Sequence, residues 1–79
     1  MRVRVFVSLK EGVLDPQGKA VQHSLAALGY SEVREVGIGK VITLDIDAES
    51  REAAEPRVKE MCEKLLANTV IESYRFEFE

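Results

Sequence analysis

"RVRVFVSLKEGVLDPQGKAVQHSLAALG", residues 2–29, changes its apolar period part-way along, and that change decides the fold. The first eight residues alternate. Val3, Val5, Val7 and Leu9 fall on one side of an extended chain, with Arg2, Arg4, Phe6 and Ser8 on the other. This is the pattern of a strand with one buried face. Phe6 interrupts the polar side and marks a candidate second interface. From Asp15 onward the period is helical. The Asp15 carboxylate is placed to accept from the free amides of a first turn, and Pro16, at the first helical position, has no amide to leave unpaired. Val21, Leu25 and Leu28 then share a stripe, with Lys19, Gln22, His23 and Ala26 around the other sides. Gly29 is the expected stop, in the left-handed conformation that closes helices, with Tyr30 folding back toward Leu25.

Working outward, EVREVGIGKVITLDID (residues 32–47) predicts a hairpin or a long bent strand. Gly37 and Gly39 would supply its bend, and Ile42, Leu44 and Ile46 its buried face. A second helix begins at Ser50, with Ala54, Val58, Met61, Cys62, Leu65 and Leu66 on its apolar stripe. Pro56 lies inside it and predicts a kink or a loose first turn. Asn68 is the expected left-handed stop, after which VIESYRFEFE (residues 70–79) turns Tyr74, Phe76 and Phe78 to one side as a last strand. The expected fold class is α+β: a two-layer sandwich, two helices on one face of an antiparallel sheet, in the order β-α-β-β-α-β.

The 79 residues hold no charge-free apolar run near the ~20 that a membrane span needs, and Arg2 and Arg4 interrupt any secretion-signal centre, so a cytoplasmic location is expected. A single cysteine permits no internal disulfide. A net charge of −3 with acids and bases interspersed gives no basic stripe for nucleic acid. A chain this small buries only about 60% of its unfolded surface, so a homodimer or dimer of dimers is expected, with Phe6 and Phe78 as its extra apolar positions.

The search for chemistry comes out empty. The loop from Gly12 to Lys19 leads into a helix N-terminus, but its glycines lack phosphate-loop spacing and Asp15 already puts a negative charge there. A capped connection is the reading that remains. His23 faces away from the apolar stripe with nothing to activate, and Cys62 sits on a stripe as a small buried hydrophobe. Asp45 and Asp47 share a strand face but lack further ligands for a metal. No nucleophile, base and orienting group come together, so no catalytic, cofactor-binding or metal residues are expected and the chain does not catalyse alone.

"LKEGVLDPQGKAVQHSL", "LGY", "DIDAES" and "MCEKLLANTVIESY" together resemble the PurS family, the small subunit of phosphoribosylformylglycinamidine (FGAM) synthase, over nearly the whole chain. The resemblance implies one PurS-like domain over residues 1–79. It also implies a structural subunit of an ATP- and glutamine-dependent ligase in purine biosynthesis, bridging a glutaminase subunit and a large synthetase subunit so that ammonia passes between them. ATP and magnesium would belong to the synthetase subunit. Exposed Lys10, Gln17, Gly18 and Lys19 are then candidate partner contacts, where Gly18 would let another backbone approach. The competing reading is a ferredoxin-like or ACT-like dimer that senses a small ligand at the same loop, and it predicts saturable metabolite binding by the isolated chain. An RNA-binding sheet is disfavoured because Glu72, Glu77 and Glu79 surround the aromatics of the last strand.

Overall fold

The computed structural model describes residues 1–79. The elements follow in the order β1 (Arg2–Leu9), α1 (Pro16–Ala27), β2 (Lys40–Asp45), α2 (Arg51–Met61), a π-helical turn (Cys62–Leu66) and β3 (Glu72–Phe78). The sheet is three-stranded and antiparallel, ordered β2-β1-β3, with β1 in the centre. The expected extra strand is absent. Residues 32–39 carry no sheet pairing, so the order is β-α-β-α-β rather than β-α-β-β-α-β. At Gly39, one residue before β2, the chain comes in beside β1 so closely that a Cβ there would stand 2.8 Å from the Val7 carbonyl oxygen.

One side of β1 makes the core. Val3, Val5 and Val7 are buried against Val58, Cys62 and Ala67, with Ile42, Leu44, Ile46, Leu66, Tyr74, Phe76 and Phe78 partly buried around them. The alternation predicted for β1 and β3 is therefore the packed one. Phe76 and Phe78 meet edge to face at 5.9 Å between centroids, and Arg51 of α2 lies over the Phe78 ring at 5.2 Å. On the opposite sheet face, Arg75 covers Phe6 at 4.0 Å. Both aromatics proposed as interface positions are thus occupied within the chain.

Ser50 caps α2 by accepting from the Ala53 amide, and the helix continues past Pro56 without interruption to Met61. What changes is its last turn. The Ala67 amide donates to the Cys62 carbonyl, five residues back, so an extra residue enters the turn. The phase of the stripe shifts there: Leu66 and Ala67 reach the core, and Leu65, expected inside, is 82% exposed. Asn68 is not left-handed, since only Gly12 and Gly29 have positive φ. It closes a turn instead, its carbonyl accepting from Ile71 and Glu72.

The two helices do not share the sheet. α2 buries Ala54 and Val58, whereas α1 buries only Gly18 and contributes no side chain to the core. The radius of gyration is 16.1 Å, against about 12 Å expected for a compact chain of this length. Extents of 51 × 25 × 14 Å describe a sheet-and-helix body with an arm. The sandwich expectation thus holds for α2 and fails for α1, because local periodicity reveals that a helix has an apolar face without revealing what lies against it.

Candidate functional site

The arm is built where the opening loop meets the segment that returns to the sheet. α1 starts as its sequence dictates: Pro16 stands at the first position and the Asp15 carboxylate accepts from the Gly18 amide at 2.9 Å. It ends as expected too. Tyr30 donates to the Leu25 carbonyl at 2.9 Å and Gly29, at φ +101°, to that of Ala26 at 3.1 Å, the paired bonds of a left-handed glycine cap. After this cap the chain runs back along α1. Gln22 donates to the Arg34 carbonyl at 2.7 Å, and the second oxygen of Asp15 accepts from the Ile38 amide at 2.8 Å.

Asp15 therefore holds two amides 20 residues apart in the chain, those of Gly18 and Ile38. The Ile38 amide, and then that of Gly18, keep its carboxyl below the usual carboxylate range. Gly18 makes the approach possible. A Cβ at this position would stand 2.0 Å from the Val36 carbonyl oxygen. The backbone that comes close to Gly18 is the chain's own, and the expectation that Gly18 is exposed is corrected: it is the one buried residue of α1.

The other candidate residues surround this junction. Lys10 is tied across the body, its ammonium donating to the Thr69 carbonyl at 2.7 Å. Gln17 lines an open cleft of about 250 Å³ at the sheet end, with Ser8, Leu9, Asp15, Lys40 and Glu72. Lys19 is exposed on the first turn of α1. His23 is exposed on the same helix, away from Cys62, which is fully buried with its thiol pushed up by desolvation and by neighbouring Glu63. No three acidic, histidine or cysteine side chains cluster in metal-binding fashion. No helix is long and apolar enough to cross a membrane.

The remaining feature was not foreseen. Leu14, Leu28 and Tyr30 on the arm are 70%, 73% and 52% exposed, and Val21 joins them on the outer face of α1. This apolar face of α1 has no cover in its own chain. Its signal was present in the sequence as the Val21, Leu25, Leu28 stripe, but that stripe was matched to the wrong cover.

Residues 2–79 match the family model described as PurS, Phosphoribosylformylglycinamidine (FGAM) synthase. Phosphoribosylformylglycinamidine synthase subunit PurS of Bacillus subtilis (strain 168) is 60% identical over 78 residues, covering 99% of this chain and 92% of that protein. The C2 crystal form of B. subtilis PurS superposes with a TM-score of 0.87 at 60% identity, over 99% of this chain and 96% of that one. A chain in the structure of PurLQS from Thermotoga maritima matches with a TM-score of 0.87 at 33% identity, covering 96% and 93%.

Proposed function

The chain belongs to the PurS family, the small subunit of FGAM synthase in purine biosynthesis, and we propose that it serves there as a dimeric bridge between the synthetase and glutaminase subunits. The observation that carries this reading is the arm. A helix with an apolar outer face and no cover in its own chain is a surface waiting for another protein, and a PurLQS assembly is where a relative of the same fold is found.

A second copy is the first partner. The apolar residues of β2, Ile42 and Leu44, remain half-buried while α2 covers Phe78 through Arg51 and the π turn brings Glu63 toward Tyr74, so each body has apolar sheet surface left on the β2 side. The arm of one copy supplies matching side chains to the other, and the closed twofold pairing leaves neither exposed. In sedimentation, the wild-type chain runs as a dimer or dimer of dimers across the micromolar range. A monomer independent of concentration excludes this pairing.

The larger subunits are the second. Gln17 and Lys19 stand free on the first turn of α1 beside the tethered Lys10, where they contact a larger subunit without unfolding anything. ATP and magnesium are handled by the synthetase subunit, and this chain's contribution is to keep the ammonia released by the glutaminase on course. The test is a reconstituted complex assayed with glutamine and, separately, with ammonia. Omitting this chain should abolish most glutamine-dependent synthesis and spare ammonia-dependent synthesis. Equal loss of both contradicts the bridging role.

A further inference from the structure

We infer that Asp15 is the positioning residue of the arm: its bond to the Ile38 amide fixes the direction in which α1 leaves the sheet, and so presents the docking surface to its partners. The inference rests on the bridging role proposed above and adds the residue that makes it geometrically possible.

The argument starts from what does not hold the arm. No side chain of α1 enters the core, so packing against the sheet cannot set the helix direction. Three contacts remain. Gln22 bonds the Arg34 carbonyl from a flexible side chain, and Gly18 meets the Val36 carbonyl by close approach alone. Both join α1 to the returning segment at residues 34–36, short of the point where that segment meets the sheet. Ile38 is the residue before Gly39, and Gly39 is the point where the returning segment comes in close beside the Val7 carbonyl of the central strand. A carboxylate that grips the first turn of α1 with one oxygen and Ile38 with the other therefore joins arm to body. Both bonds are charge-assisted and both donors are backbone amides, so only the short Asp15 side chain has to be fixed.

The chemistry also explains why aspartate serves here rather than the other good helix caps. Serine caps a helix comparably, but it is short and has a single oxygen. It serves the Gly18 amide and leaves that of Ile38 to water. Capping and clamping are thereby separable in one position.

The experiment compares Asp15→Ser, which keeps the cap and loses the clamp, with Asp15→Ala, which loses both. Amide hydrogen exchange is read at Ile38, through α1 and in the sheet. In the reconstituted complex, the concentration of this chain giving half-maximal glutamine-dependent synthesis is read alongside. Asp15→Ser should accelerate exchange at Ile38, leave the sheet amides and the later turns of α1 as protected as before, and raise the half-saturating concentration about tenfold, as expected when about one molecule in ten holds the docking geometry. Unchanged exchange at Ile38 with unchanged half-saturation overturns the inference. So does a shift in half-saturation confined to Asp15→Ala, which would assign the effect to the helix cap. If the wild-type chain itself gives no glutamine-dependent synthesis, the bridging role fails, while exchange at Ile38 still decides whether the clamp exists.

Discussion

Gly18→Ala should destabilise the chain, although alanine is the better helix former. The added Cβ would lie 2.0 Å from the Val36 carbonyl oxygen and 3.0 Å from its carbon, where ordinary contact begins at 3.4 Å. Both sides of the clash are backbone, so no rotamer change relieves it, and the returning segment must retreat by more than an ångström. Overpacking of this kind costs about 1–3 kcal/mol, and with no flexible partner the upper end applies. The helix-propensity gain of about 1 kcal/mol offsets part of it. A net loss of about 2 kcal/mol lowers Tm by roughly 8–16 °C in a domain of this size. The retreat also stretches the Gln22 bond to Arg34 and the Asp15 bond to Ile38, so amide exchange at 33–39 should rise together with the fall in Tm. Gly37→Ala is the matched control, because a Cβ there meets nothing within 4 Å and its φ is not positive. It should change stability by less than about 0.5 kcal/mol. A Gly18→Ala chain as stable as the wild type, or a Gly37→Ala chain equally damaged, would falsify the close approach.

The π turn makes a paired forecast: Val58→Ala, at a fully buried position, should cost about 2 kcal/mol, while Leu65→Ala should stay within about 0.5 kcal/mol, both read by urea unfolding. Reversed costs would restore the unbroken α-helical stripe. Cys62→Ser should cost about 1–3 kcal/mol by placing a hydroxyl among apolar neighbours, and the wild-type thiol should label with thiol reagents only after unfolding. Rapid labelling of the native chain would contradict its burial. Two groups with raised folded pKa values contribute to the alkaline limb of stability: the Cys62 thiol, through desolvation and then Glu63, and the Tyr74 phenol, pushed up to about 12 chiefly by the facing Glu63 carboxylate. Raised folded values mean that the stabilisation is complete below the unfolded values and is lost as pH climbs through the folded ones, roughly from pH 9 to 12. Tyr74→Phe should flatten Tm against pH in the upper part of that window, and a profile as steep as the wild type's would discount the phenol.

Everything the sequence settled by itself is local in its physics. The alternation of Val3, Val5 and Val7 needs only the two-residue period of a strand, and the start and stop of α1 need only Asp15, Pro16 and Gly29, each acting within a turn of its own position. The resemblance carried by the loop and by the second helix gave the family. Three features were settled by tertiary structure. Gly18 looked like an exposed turn residue because nothing near it in the chain signals that the Val36 carbonyl, 18 residues on, will rest against it. Leu65 looked buried because a 3.6-residue period was carried through a turn that takes one residue more, and that insertion is fixed by Ala67 bonding back to Cys62 while Leu66 and Ala67 fill the core. The stripe of α1 was read correctly as apolar and assigned wrongly to its own sheet. Periodicity reports that a face must be covered, and the energy of burial is the same whichever chain covers it, so only the path of the backbone shows that α1 points away from the body that made it.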